Sequence, residues 1–306
     1  MFFSERGDLE SAAFIAAAKT LGMKAIGAQH GGHGGFMADL AVASEVEHAH
    51  CDGYVTWGWS KLPEFPPPPP QPVEVHPLPS PFLSERASRW RRELDPGDAG
   101  RRYDFLLLSN GVHRFSTAPG CAGQSNIDFI KPYCELLVDL AREAGRAGVS
   151  VLHKPRDPRA AVMLGRTFEA MEAAGGPLYR CETKLDKGMT KALLDQCRVV
   201  LWDQPGMGFQ ECLAAGIPTM TYWKRVYNRE DPAAAASVAA LEAAGVVHRE
   251  TSTLFREAAR VRELGGRAWL AEPARAKAIA AFVEEFCRAE DGWAARWVEF
   301  FDRLPA

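Results

Sequence analysis

Residues 62–81 of the 306-residue chain read LPEFPPPPPQPVEVHPLPSP and contain ten prolines. Proline has a fixed φ and no backbone N–H, so this segment cannot form a helix or an inner strand. We expect a stiff, polyproline-like strap over the surface. A proline-rich motif for a partner is the alternative, although no basic residue flanks the run. The segment divides the chain into residues 1–61, a linker over 62–100 and residues 101–306.

Helices and strands alternate on both sides of this linker. Before it, the pattern predicts a helix over 8–21, a strand at MKAIGAQ, a second helix and a strand at GYVTWGW. After it, predicted strands at YDFLLLSN, VSVLHK, RVVLWD and PTMTYW are separated by helical segments, and a helical tail follows. This order is typical of an α/β protein with open parallel sheets and helices on both faces.

Composition excludes several classes of function. A net charge of −3 argues against a general nucleic-acid or membrane electrostatic surface. The seven cysteines are scattered and include no Cys-x-x-Cys pair, which indicates reduced thiols rather than a disulfide framework. No apolar run reaches about 18 residues, and the N-terminus lacks the pattern of a signal peptide. We therefore expect a cytoplasmic protein with no transmembrane segment.

Polar and cationic residues follow the predicted strands, where open parallel sheets bind their ligands. They are Gln29, His30, Ser109, Asn110, His153, Lys154, Arg156, Asp203, Gln204, Lys224 and Arg225. Lysine and arginine at such positions are suited to a phosphate. Around His153, Lys154 and Arg156 a diphosphate subsite is one interpretation, and a structural histidine with surface charges is the other.

The stretch WDQPGMGFQECLAAG is the most informative one. A buried strand is followed by Gly206, Met207 and Gly208, and a helix begins near Phe209. The free amides of a helix N-terminus bind anions, and glycines allow a phosphate to reach the backbone. Glu211 could accept hydrogen bonds from a ribose or sugar hydroxyl. Alternatively, the glycines only shape a turn and Glu211 only complements the helix dipole.

The stretch QHGGHGG after the first predicted strand raises three possibilities: a phosphate, a metal ion or a tight turn. Its histidines, His30 and His33, lie close in sequence to His48, His50 and Cys51. A glycine loop does not hold ligands in a fixed geometry, so we expect no metal site. The glycines better fit close approach of an anionic ligand or of the facing domain, with His30 lining the cleft.

The motifs GAQHGGHGG, DGYVTWGWS, VLHKPRDP and DQPGMGFQECLAAGIPTMTYW resemble the LIC12162-type family of transferases for bacterial surface carbohydrate. That family resembles the GT-B glycosyltransferases, which implies a GT-B-like fold. Its members are longer, which implies that residues 1–61 are an incomplete acceptor domain. The His-Pro pair of related transferases corresponds here to His153-Lys154-Pro155, with an insertion.

The resemblance implies transfer of a sugar or sugar-like group from a nucleotide-activated donor to a glycan or lipid-linked glycan acceptor. The donor is a substrate, and we expect no cofactor and no nucleic-acid partner. Residues 206–209, His153, Lys154 and Arg156 would hold the phosphates, Ser109 and Asn110 would line the pocket, and His30 would be the base. A non-catalytic remnant, a nucleotide-sugar epimerase and a peripheral position at the inner membrane remain alternatives.

Overall fold

A computed structural model of the chain describes residues 2–3, 9–38, 48, 50–64, 71–94, 97, 100–109, 127–155, 158–182, 188–225 and 229–304. Two parallel sheets form the framework. The first has the order β1-β2-β3-β4, and the strands are Phe2–Phe3, Ile26–Ala28, Gly53–Thr56 and Glu74–Pro77. Helix α1, Leu9–Thr20, connects β1 to β2.

The second sheet has six strands in the order β10-β9-β8-β5-β6-β7. They are β5 Tyr103–Ser109, β6 Val151–Pro155, β7 Tyr179–Cys181, β8 Cys197–Trp202, β9 Thr219–Tyr222 and β10 Val247–His248. The chain builds outward from β5 in one direction and then from β8 in the other. That is the doubly wound order, whose ligand crevice opens between the first and fourth strands of the unit.

Helices cover both faces of this second sheet. The helices described after β4 are α2 Pro81–Glu93, α3 Ile127–Arg146, α4 Pro158–Gly175, α5 Lys191–Leu194, α6 Met207–Ala215, α7 Ala235–Ala243, α8 Thr251–Leu264, α9 Gly266–Leu270, α10 Pro273–Phe286 and α11 Trp293–Asp302. One core contains alternate residues of β5 and β8 with α3 and α4, and a second contains the remaining residues with α5 and α6. The predicted fold class, parallel α/β with helices on both faces, is confirmed.

The proline-rich segment contains more regular structure than the sequence predicts. Residues 74–77 form β4, which pairs in parallel with β3 at the edge of the first sheet. An edge strand tolerates proline because one side of its backbone needs no partner. Pro81 begins α2, where its missing N–H costs nothing, and Ser80 caps the helix by accepting a hydrogen bond from Leu83 N at 3.2 Å.

The last helix returns to the first sheet. Phe300 of α11 packs on Ile26, Ala28 and Val55, and the Trp297 indole donates a hydrogen bond to the Pro79 carbonyl at 2.9 Å. The tail therefore belongs structurally to the N-terminal sheet as well as to the C-terminal unit. In the part of the chain that the structure describes, no helix is long and apolar enough to cross a membrane.

Candidate functional site

The candidate site lies where β5 and β8 end side by side, at the reversal of strand order. β8 ends at Trp202, and α6 begins at Met207 after a short turn. The Gln210 amide donates the first helical hydrogen bond, to the Gly206 carbonyl at 3.0 Å. The amides of residues 207–209 therefore have no acceptor within the helix, as at any helix N-terminus, and they carry its positive dipole.

The glycine loop of the N-terminal sheet lies directly on this helix start. A methyl group at Gly32 would overlap the backbone of Met207, so only glycine fits there. His33 Nε2 is 3.3 Å from the position that a Cβ at Gly206 would occupy. Two stretches separated by more than 170 residues in sequence thus form one site. At Gly32 the backbone that approaches closely is Met207 of the facing domain.

Other glycines of these loops have packing roles. Gly35, at φ +82°, lies against the Trp59 indole. Gly208 lies under the Trp202 ring, which a Cβ would enter. A side chain at Gly208 would therefore disturb packing whether or not a nucleotide binds, so this position is unsuited to testing a phosphate site.

Gln29 joins the two loops of the N-terminal sheet. Its Oε1 accepts hydrogen bonds from Trp57 N at 3.0 Å and from Trp59 Nε1 at 2.8 Å, while its Nε2 donates to the Gly31 carbonyl at 2.7 Å. The buried amide orients the glycine loop. The next residue, His30, is exposed at the surface. The roles predicted for both residues, at the nucleotide and as the base, stay predictions.

Ser109 and His153 form a buried pair below the site. Ser109 Oγ and His153 Nε2 are 2.7 Å apart, and the imidazole packs edge-on against Phe168. Burial lowers the pKa of His153 to about 3, so the ring is neutral at physiological pH. Its Nδ1 has no hydrogen-bond partner in the described part of the chain. The pair supports the end of β5 from inside the domain.

The structure separates Lys154 from His153. Both belong to β6, and consecutive strand residues point to opposite faces. Lys154 is fully buried, at 1 % exposure. Asn110 and Arg156 lie outside the described residues. The phosphate contacts predicted for these residues remain predictions.

Two acidic residues of the turn and helix are engaged by neighbouring elements. The Tyr133 hydroxyl of α3 donates a hydrogen bond to the Asp203 carboxylate. Glu211 accepts hydrogen bonds from Trp90 Nε1 and, at 2.8 Å, from Arg86 Nε. The Glu211 carboxylate therefore ties α6 to α2, which differs from the predicted contact with a sugar hydroxyl and leaves that contact a prediction.

Sequence reasoning missed the partners Arg86 and Trp90 because it assigned residues 62–100 to a linker. The Ser80-Pro81 pair was a recognisable helix start, and the spacing of four between Arg86 and Trp90 places both on one helix face. No sequence pattern indicates that His33 lies beside Gly206, since this approach depends on how the two sheets pack. Among the described residues, no group of histidine, cysteine and carboxylate side chains could hold a metal ion.

The family comparison identifies a match over nearly the whole chain. The model of a family described as LIC12162 family transferase matches residues 6–301. No curated protein matches the chain.

Solved structures with the same fold include a glycosyltransferase from Rickettsia africae, at TM-score 0.55 and 9 % identity, which covers 98 % of this chain and 76 % of that one. Anabaena HepE, solved with UDP and glucose, has TM-score 0.53 and 11 % identity over 99 % of this chain and 78 % of its own. A putative UDP-N-acetylglucosamine 2-epimerase from Listeria monocytogenes has TM-score 0.50 and 10 % identity over 99 % of this chain and 75 % of its own. The fold is GT-B-like.

Proposed function

The chain belongs to the LIC12162 family of transferases, and from that premise we propose that it transfers a sugar or sugar-like group from a nucleotide-activated donor to a bacterial surface glycan. The fold supports this proposal, since similar structures include a glycosyltransferase and a protein solved with UDP and glucose. The substrate class itself comes from the family resemblance.

One observation carries the proposal: the glycine loop of one sheet closes on the start of α6 in the other. A group transfer needs donor and acceptor held together, and a site at which loops of two sheets meet supplies this. The amides of residues 207–209 and the positive end of the α6 dipole can stabilise a diphosphate. Lys154 and Arg156, if they reach the ligand, would add positive charge.

The reaction breaks the bond between the sugar carbon and the phosphate oxygen and forms a bond from that carbon to the acceptor oxygen. The nucleotide leaves with the bonding electrons, and the acceptor hydroxyl loses its proton. Fixed dipoles at the helix start would stabilise the charge that develops on the leaving phosphate. Exposed His30, at the end of β2, is the candidate to accept the proton.

The experiment combines binding and turnover. Thermal-shift and calorimetric titrations with CMP, CDP, UDP and GDP identify the nucleotide, and activated sugars of that nucleotide are then incubated with glycan acceptors. Transfer predicts release of free nucleotide in proportion to modified acceptor. An epimerase would instead change the sugar while the nucleotide stays attached, and a non-catalytic remnant would bind without either product.

A variant tests whether the bound phosphate lies at α6. Gly206→Val adds bulk beside the free amides, where His33 already lies at 3.3 Å from the Cβ position, so we expect at least tenfold weaker nucleotide binding. Gly165→Val is the matched control, because nothing lies within 4 Å of a Cβ at that position. Unchanged nucleotide affinity in folded Gly206→Val would contradict this position for the phosphate.

A further inference from the structure

A cavity of about 720 Å³ lies at the amino end of β8, at the opposite end of the strand from the candidate site. Apolar side chains of β8, α6 and α10 form its walls, among them Val200, Leu213 and Ile279. The C-terminal end of α6 reaches it at Gly216. Its volume falls within the ~300–1,000 Å³ that ligand pockets occupy.

Four arginines are the charged residues among the described residues that line this cavity, and no carboxylate accompanies them there: Arg91, Arg101, Arg198 and Arg267. A cationic lining is notable in a chain whose net charge is −3. Arginine binds phosphate oxygens through two parallel hydrogen bonds. The lining therefore combines an apolar wall with groups that recognise a phosphate.

These arginines differ in what they already contact. Arg91 lies 3.0 Å from Asp291, and Arg198 lies 3.8 Å from Asp104, which Arg262 also binds. Arg101 donates hydrogen bonds to the carbonyls of Gly97 and Cys197. Arg267 is exposed, and within the described part of the chain no carboxylate pairs with it. Arg267 is thus the guanidinium best placed to meet an incoming anion.

We propose that this cavity binds one anionic phospholipid, with an acyl chain against the apolar wall and the phosphate on the arginines. A nucleotide fits poorly, because the described side chains of the lining offer no oxygen acceptor for a base or a ribose. A wholly apolar ligand would leave the arginines unused. An amphiphile with one phosphate satisfies both parts of the lining.

This proposal is independent of the transferase reaction, since the cavity lies at the other end of the sheet. The lipid titration that tests it contains no nucleotide. Bound there, a lipid would hold the C-terminal unit close to an anionic membrane surface. Leu264, the last residue of α8 and three positions before Arg267 in sequence, is exposed to 47 %. An exposed apolar residue so near to Arg267 in sequence fits contact with a lipid layer.

The test is calorimetric titration of the full chain with dihexanoyl phosphatidic acid below its micelle concentration. Dihexanoyl phosphatidylcholine, with the same chains and no net charge, is the ligand control. We expect the phosphatidic acid to bind at least tenfold more tightly. Equal binding of both lipids would overturn the role given to the arginines.

Two pairs of variants test the contact with the acyl chain and the contact with the phosphate independently. Ala280→Trp, at an exposed position of α10 that lines the cavity, should abolish lipid binding, whereas Ala281→Trp, exposed on the same helix and outside the lining, should not. Arg267→Ala should weaken phosphatidic acid roughly tenfold, against no change for Lys277→Ala. Thermal unfolding checks that each variant is folded. Wild-type affinity in Ala280→Trp would overturn the proposal.

Discussion

The two ends of β8 are both suited to anions, but by different means. At the carboxyl end, the positive charge comes from backbone amides at the start of α6, and the buried side chains nearby are paired among themselves, as Ser109 is with His153. At the amino end, it comes from arginine side chains around an apolar wall. One end is built mainly by the backbone and the other by side chains.

This difference determines how each end responds to substitution. A backbone site depends on glycines that let two chain segments meet, so added volume damages it more than lost charge. A side-chain site depends on individual guanidinium groups, so lost charge weakens it stepwise. The comparison also shows why a motif search finds the first end and misses the second, whose arginines come from distant segments of the chain.

The largest effect is expected at the carboxyl end. His30→Ala should lower turnover by a factor of ~10²–10⁴ if this histidine is the base, with little change in nucleotide affinity. His33→Ala, which removes the imidazole beside Gly206, should instead weaken nucleotide binding. His50→Ala, at an exposed position of the same sheet region, is the control. Near-normal turnover in His30→Ala would remove its catalytic role.

A second experiment asks whether the carboxyl end is really built by close backbone approach. Gly32→Val forces a side chain into the Met207 backbone and should lower the free energy of unfolding by ~1–3 kcal/mol. Gly31→Val is the matched control, because nothing lies within 4 Å of its Cβ position. Urea unfolding measures both variants. Equal stability of the two would mean that the loop does not rest on α6.

The pH dependence of the free energy of unfolding should depend on the carboxyl end, where His153 is buried, and not on the amino end. Burial lowers the pKa of His153 to about 3, while an unfolded histidine titrates near 6.5. Between these values the unfolded chain binds more protons, so the free energy of unfolding falls as pH decreases from 6.5, by up to ~1.4 kcal/mol per pH unit. Below the folded pKa of His153, this residue causes no further decrease in the free energy of unfolding.

Urea unfolding between pH 6.5 and 4.5 measures this slope. His153→Asn should reduce it, and His248, whose pKa burial lowers to about 4, should supply most of what remains. No histidine is among the described residues that line the amino-end cavity, so Arg267→Ala should leave the slope unchanged. A slope in His153→Asn identical to that of the wild type would mean that His153 is not buried as a neutral group.

The smallest effect concerns salt. Raising the ionic strength from ~0.1 M to ~1 M shortens the screening length from about 10 Å to about 3 Å. Phosphatidic acid at exposed Arg267 should lose several-fold in affinity, more than a nucleotide held by the backbone amides at the start of α6. Titrations at both salt concentrations compare the two losses. A larger loss for the nucleotide would reverse the contrast between the two ends.

Much of the fold was predictable from local patterns. The strands β5, β6, β8 and β9 lie where buried apolar runs predict them, and α6 begins at Met207, two residues before the predicted start near Phe209, so that Gly208 lies inside the helix. The structure of residues 62–100 was harder to predict, because proline interrupts the hydrophobic periodicity and β4 forms only by pairing with the edge of β3. The candidate site was predictable as a region, at the carboxyl ends of the strands.

Local patterns in the sequence determined which segments become strands and helices and where glycines are needed. Hydrophobic periodicity, helix capping and the backbone freedom of glycine all act over a few neighbouring residues. Packing alone decided the partners: Gly32 meets Met207, and Glu211 meets Arg86 across 125 positions of sequence. Such contacts have no local signature, since either partner would suit many environments. They arise only when the packing of two sheets and their helices brings distant side chains into one place.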